Sequence, residues 1–373
     1  MDFHFENNTI RFIHQNKTFH LHPIWLRERL PGEKYFDLDT NQRLYEPSSI
    51  DLKLEIVSCR LTDHKLDVEF NDGAKGQYPL DDLLIEMDEE KNKRGPLPKR
   101  ILWNSQLEVK PEAFFEEDMV EQESMYNLLI DFYKYGFVII KNVPTESKYI
   151  LKFVNSIGPV KTTNFGEFFD VMSKPNPNDL AYKPIALPPH TDNPYRKPEA
   201  PGIQFLHCLK NEVSGGYSTL VDGFSVAEYI KSNEPEAFES LTKTNLRYRF
   251  QDKDIILENW GELIELDKDG DYKQVRYSTR VDYVPPLKKE KLESFYKARK
   301  LLGELYTSSD FEIKFKLSPG DVMMFDNHRL LHGRTSYDSS EGARHLQGCY
   351  LEFDSTDGKL RHLHEKYYRN KTN

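Results

Sequence analysis

Two short segments of this chain carry the residue types of a metal site, yet they stand 142 positions apart. A fold that serves both must bring distant strands side by side. The first segment is Pro189-His190-Thr191-Asp192-Asn193-Pro194-Tyr195-Arg196 and the second is Phe325-Asp326-Asn327-His328-Arg329-Leu330-Leu331-His332-Gly333-Arg334. His-x-Asp followed much later by His is the ligand pattern of a non-haem iron(II) site. There two imidazoles and one carboxylate hold one face of the metal and leave the other open to cosubstrate and O2. Residues i and i+2 of a strand point to the same side, so His190 and Asp192 can reach one ion. Arg344 lies 12 residues after His332, a spacing that suits a cation on the next strand aimed at the far carboxylate of 2-oxoglutarate.

The remainder of the chain sets bounds. Its 373 residues suit two domains and can bury a sizeable core. Its 23 Phe and 21 Tyr fit a β-rich protein with an aromatic-lined pocket. A net charge of −10 argues against a nucleic-acid partner. Cys59, Cys208 and Cys349 are too few and too scattered for a disulfide framework, which fits a reducing cytoplasm. The N-terminal residues lack a basic and an apolar region in series, so no secretory signal is visible. No apolar run is long enough for a membrane span.

Short apolar runs predict strands at residues 9–13, 18–21, 51–60 and 65–70, with Asn71-Asp72-Gly73 as a turn. The charged, proline-containing stretch 88–100 reads as an exposed linker. It divides the chain into a small β-rich N-terminal domain, 1–95, and a catalytic domain, 96–373. Residues 111–135 carry a helical pattern with Met125, Leu128, Leu129 and Phe132 on one face, ended by Gly136. Residues 137–140 form a buried strand, and further helices fall near 226–231 and 289–305. Short antiparallel strands carrying a metal fit a mainly β double-stranded β-helix, or jelly roll, with flanking helices.

With the distal His, Arg344 and the intervening Gly215-Gly216 in place, the chain resembles the γ-butyrobetaine and trimethyllysine hydroxylases. These lie within the wider taurine-dioxygenase-like group of iron/2-oxoglutarate enzymes. The resemblance runs from about residue 10 to 355. Besides the two metal segments it rests on Asp179-Leu180-Ala181-Tyr182, Gly202-Ile203-Gln204-Phe205-Leu206-His207-Cys208, Val221-Asp222-Gly223-Phe224 and Arg344-His345-Leu346-Gln347-Gly348-Cys349-Tyr350. It implies the same jelly roll, Fe(II), 2-oxoglutarate and O2 as cofactor and cosubstrates, and a homodimer. It assigns His190, Asp192 and His332 to the metal, and Arg344 with Ser218 to the distal carboxylate of 2-oxoglutarate. Family members often hold a structural zinc in the N-terminal domain through three Cys and one His. The corresponding stretch 25–35 contains no cysteine, so no such zinc is expected.

The resemblance also implies a substrate with a trimethylammonium group held in an aromatic cage. Phe165, Phe169, Tyr182 and Tyr350 fall on the cage positions, and Asp179 falls where an amide stands in the carnitine-forming branch. Asn193, Arg196 and Arg280 are expected at the anionic end of the substrate. Two arginines suit a dianion. The His-Thr-Asp-Asn-Pro-Tyr-Arg run looks like the bacterial branch that acts on 2-(trimethylammonio)ethylphosphonate, from which the chain departs at Thr279. γ-Butyrobetaine hydroxylation is the alternative, and a non-catalytic cupin-like binding protein is the alternative of a different class.

Overall fold

The structure, a computed structural model, describes residues 2–14, 16–62, 64–88, 95–172 and 183–368. The chain divides into two units, Met1–Gly95 and Pro96–Asn373. In the first unit, strands Asp2–Glu6, Thr9–His14 and Lys17–Leu21 form one antiparallel sheet, and Ile56–Leu61, Lys65–Phe70 and Lys75–Pro79 form another. Asn7 and Asn8 connect the first two strands with φ of 48° and 57°, two successive left-handed residues in the turn that matches strand twist. Residues 51–55 stay outside the strand that the sequence suggests. Asp51 turns that stretch back on itself: its carboxylate accepts from the Lys53 amide at 2.9 Å and its carbonyl from the Leu54 amide at 3.0 Å. Of the proposed linker, residues 89–94 lie outside the described residues.

The second unit is built on two antiparallel sheets, with one parallel edge strand. In order, the larger contains Phe169–Met172, Arg344–Leu351, Ile203–Asn211, Val322–Asp326, Phe137–Lys141 and Glu112–Phe114. The smaller contains Leu187–His190, Leu330–Arg334, Ser218–Asp222 and Glu312–Phe315. Leu206, Met323 and Phe325 of the larger sheet pack against Leu220, Leu330 and Ile313 of the smaller, so the sheets face each other across a dry core. This is the expected jelly roll.

Side-chain alternation then fixes what each strand presents. On Leu330–Arg334, Leu330 joins the inter-sheet core while Leu331 faces a second core under helices Gly223–Asn233 and Lys289–Tyr306. His332 and Arg334, in step with Leu330, therefore look inward. On Arg344–Leu351, Leu346 faces inward while Cys349 and Leu351 meet helices Glu123–Tyr135, Tyr149–Ile157 and Phe353–Tyr367. Arg344 and Tyr350 share the inward face.

The helical pattern of 111–135 holds only from Glu123. Before it, Glu112–Phe114 pairs in parallel with Phe137–Lys141 as an edge strand, because that strand has an open side and residues 112–114 can fill it. Gly136, at φ 80°, ends the helix in the left-handed conformation that a terminal glycine supplies.

Candidate active site

His190 and His332 are register partners on adjacent strands, and their ring centroids lie 4.4 Å apart. The Asp192 Oδ1 atom sits 3.5 Å from His190 Nε2 and 3.9 Å from His332 Nε2. One ligand atom from each of the three lies within 4.8 Å of the others. The His190 Nδ1–H donates to the Pro188 carbonyl at 2.9 Å. A carbonyl cannot donate, so this bond leaves the Nε2 lone pair free for a metal. Burial, with His190 alongside, pushes the His332 pKa down to about 3, so this ring stays neutral. Burial alone would raise the Asp192 carboxyl; His332, His190 and the Tyr350 hydroxyl outweigh it and hold the group below the usual carboxylate range.

The turn between Val322–Asp326 and Leu330–Arg334 locks this geometry. Asp326 Oδ1 accepts from the His328 and Arg329 amides at 2.8 and 3.0 Å. The Asn327 amide side chain brackets the Asp192 backbone, accepting from its N–H at 2.7 Å and donating to its carbonyl at 3.0 Å. Arg329, buried, forms a two-pronged pair with Asp222 at 3.1 and 2.6 Å. His328 donates to the Ala200 carbonyl at 2.8 Å.

A cavity of about 450 Å³ opens beside these three side chains. At one wall Arg344 and Arg334 both lie over the Tyr337 ring, at 5.6 and 5.0 Å. Arg334 donates to the carbonyls of Lys183 and Ile185. Arg344 has one acceptor among the described residues, the Gly216 carbonyl at 3.3 Å from Nε, and no described carboxylate pairs with it. Burial and the neighbouring Arg334 push its pKa down to about 10, which leaves it charged near neutrality. A buried guanidinium on a cavity wall without a counterion fits the far carboxylate of 2-oxoglutarate. Ser218, buried and paired in register with Arg334, lines the same wall. Gly216 makes room: at φ 67°, a side chain there would meet Arg344 Nε at 2.7 Å.

Another part of the lining is aromatic. Phe169 lies 5.3 Å from Tyr350, and Phe165 lies 5.7 Å from Phe250, which stacks on Tyr195 at 4.9 Å. Gly348 admits the Phe169 ring, whose Cζ would be 2.4 Å from a Cβ placed there. Phe250, Tyr195 and Ser278 line the cavity but were not singled out from the sequence. Phe250 stands in a strand with no motif around it, whereas Ser278 stands two residues before Arg280, in the stretch that the resemblance sets at the anionic end of the substrate, and that was its signal. Tyr195 is part of the metal segment, and its position there was the available signal.

The remaining expected residues divide. Asn193, buried, and Arg280, exposed, both line the cavity. Ser278, Arg280 and Val281 line it beside Tyr277, which Thr191 holds: the Thr191 amide donates to the Tyr277 carbonyl at 2.8 Å and its hydroxyl accepts from the Tyr277 amide at 3.0 Å. Arg196 is not among the residues that line the cavity. Its guanidinium donates to the Asn164 side chain and lies over the rings of Phe165 and Tyr195 at 5.8 and 5.7 Å. Asp179 and Tyr182 lie outside the described residues.

Residues 99–350 match the family described as taurine catabolism dioxygenase TauD, TfdA family. Trimethyllysine dioxygenase, mitochondrial, of Bos taurus is 31% identical over 371 residues, covering 94% of this chain and 83% of that protein. Gamma-butyrobetaine dioxygenase of Homo sapiens is 30% identical over 355 residues, covering 92% and 91%. Gamma-butyrobetaine dioxygenase of Pseudomonas sp. (strain AK-1) is 28% identical over 338 residues, covering 89% and 88%. Among solved structures, AAD-2 in complex with Mn(II) and N-oxalylglycine superposes with a TM-score of 0.52 at 12% identity, over 68% of this chain and 97% of that one, and shares the fold. The jelly roll, its inward His/Asp/His cluster and these relatives define a 2-oxoglutarate-dependent dioxygenase. The chain belongs to the TauD, TfdA family.

Proposed function

We propose that His190, Asp192 and His332 hold Fe(II), that Arg344 and Ser218 hold 2-oxoglutarate, and that the enzyme hydroxylates a small trimethylammonium zwitterion. The convergence of three ligand atoms within 4.8 Å beside a cavity with an arginine wall and an aromatic wall carries this reading. When bound, Fe(II) with 2-oxoglutarate and O2 supplies the oxidising power that converts C–H to C–OH, with succinate and CO2 as coproducts. The protein's part is to orient the substrate. Phe165, Phe169 and Tyr350 offer ring faces to the ammonium, and Tyr182 and Asp179 are proposed beside them. Arg280 and Asn193 take the anionic end, with Ser278 close by.

The placement of Arg196 favours one substrate over the other. The dianion argument needs both Arg196 and Arg280 at the anionic end, and of these two Arg280 alone borders the cavity. One cation matches one carboxylate, whereas a second, unmatched charge on a desolvated ligand is costly. The leading substrate is therefore a carboxylate betaine such as γ-butyrobetaine, the substrate that names two of the relatives. 2-(Trimethylammonio)ethylphosphonate is the second reading and rests on the His190–Arg196 run. Succinate release from Fe(II)-loaded enzyme, measured with each compound at equal concentration, tests this. Faster turnover of γ-butyrobetaine is expected; faster turnover of the phosphonate reverses the order, and stimulation by neither overturns the substrate class. A non-catalytic binding protein would release no CO2 from 2-oxoglutarate with any of them.

A further inference from the structure

Asp192 has two oxygens with different surroundings. Oδ1 faces the two imidazoles, while Oδ2 accepts the Tyr350 hydroxyl at 2.9 Å. The Tyr350 oxygen in turn accepts from Asn193 Nδ2 at 3.0 Å. Asn193 Oδ1 accepts from the Tyr195 hydroxyl. All three side chains are buried, and all three border the cavity. The backbone contributes too: Asn193 takes a φ of 54°, a left-handed conformation that asparagine tolerates better than most residues.

The chain of bonds has a fixed sense. An amide oxygen cannot donate, so Tyr195 must donate to Asn193. The Asn193 nitrogen cannot accept, so it must donate to Tyr350. The Tyr350 proton is thereby committed to Asp192, the one acceptor left to it here. Each link orders the next, and burial removes the water that would otherwise substitute for a missing partner.

We propose that Tyr195, Asn193 and Tyr350 form a one-way hydrogen-bond chain that positions Asp192, reserving Oδ1 for the metal and setting how tightly the metal is held. Tyr350 then has two duties, as a wall of the substrate cavity and as the anchor of a metal ligand. Whatever binds against Tyr350 is linked to metal affinity, and the linkage runs both ways. The proposal rests on the reading of the triad as a metal site.

Mn(II) binding to metal-free protein in the presence of 2-oxoglutarate, followed by titration calorimetry, tests it without turnover. Tyr350→Phe removes only the hydroxyl and is expected to weaken Mn(II) binding about 10-fold, the size typical of losing a partner behind a ligand. Tyr195→Phe, two links away, is expected to weaken it by less, and Tyr195→Phe/Tyr350→Phe no more than Tyr350→Phe alone. Unchanged Mn(II) affinity in Tyr350→Phe or an additive double variant overturns the proposal. If Tyr350→Phe does not fold, an unchanged affinity in Tyr195→Phe overturns it equally. Wild-type protein that binds no Mn(II) refutes the metal-site reading itself, a separate outcome.

Discussion

At the scale of single residues, the wall around Arg344 makes the sharpest demands. Arg344→Ala removes the buried cation proposed for the far carboxylate of 2-oxoglutarate. The loss of such a charged pair costs about 2–5 kcal/mol. The concentration of 2-oxoglutarate needed for half-maximal succinate release is expected to rise at least tenfold, with a smaller change for the ammonium substrate; an unchanged requirement removes Arg344 from this role. Gly216→Ala reaches the same group from outside. Its methyl would stand 2.7 Å from Arg344 Nε, on a backbone at φ 67° that resists a side chain. It is expected to raise the same requirement while both arginine and triad remain present. Arg196 teaches the reverse lesson. It belongs to the same segment as Asn193, three residues further on, yet its side chain turns to Asn164 and two rings. Which neighbour of a motif faces the cavity depends on local backbone direction, and no residue type announces that.

At the scale of elements, the parts that were legible have their own internal period. Met125, Leu128, Leu129 and Phe132 mark their helix because one face must be apolar, and Gly136 marks its end. The two segments proposed to hold the metal stand out in the sequence because such chemistry tolerates few residue types. Helices Tyr149–Ile157 and Phe353–Tyr367 were not, since the larger sheet buries them through contacts remote in sequence. Edge strand Glu112–Phe114 is defined by its neighbour rather than by its own pattern. The same sheet holds His207 within strand Ile203–Asn211, fully buried. Burial pushes its pKa down to about 4, opposed by the Val143 carbonyl. The neutral ring is thus favoured in the fold. Its contribution is present above the ordinary pKa of about 6.5 and is lost as pH falls from there through about 4. Chemical denaturation is expected to show wild type losing up to about 3 kcal/mol relative to His207→Leu as pH falls across that window. A constant difference from pH 7 to 4 refutes the account.

At the scale of the whole catalytic unit, one buried pair joins several layers. Asp222 caps helix Gly223–Asn233 through the Phe224 amide at 3.1 Å, accepts from the Trp103 amide at 3.2 Å, and pairs with Arg329. Arg329 also donates to the Lys134 carbonyl at 2.9 Å and to the Ile101 carbonyl. The segment entering the unit, the end of a helix, the start of another and the turn beside the metal loop therefore meet at one ion pair. Arg329→Met leaves a buried carboxylate unpaired and is expected to destabilise the unit by about 3–5 kcal/mol. Asp222→Asn/Arg329→Met is expected to recover part of that loss, and thermal unfolding of the three variants measures both. The Thr191–Tyr277 link has a different kind of consequence. It ties Tyr277, next to the cavity-lining residues Ser278, Arg280 and Val281, to Thr191 by two backbone amides, a backbone carbonyl and one threonine hydroxyl, a tie made without the side chains at 278–280. A lineage can therefore exchange those side chains, and with them the molecules it accepts, while inheriting its oxidising centre intact. A small combinatorial library at 278, 279 and 280 samples that evolutionary freedom directly.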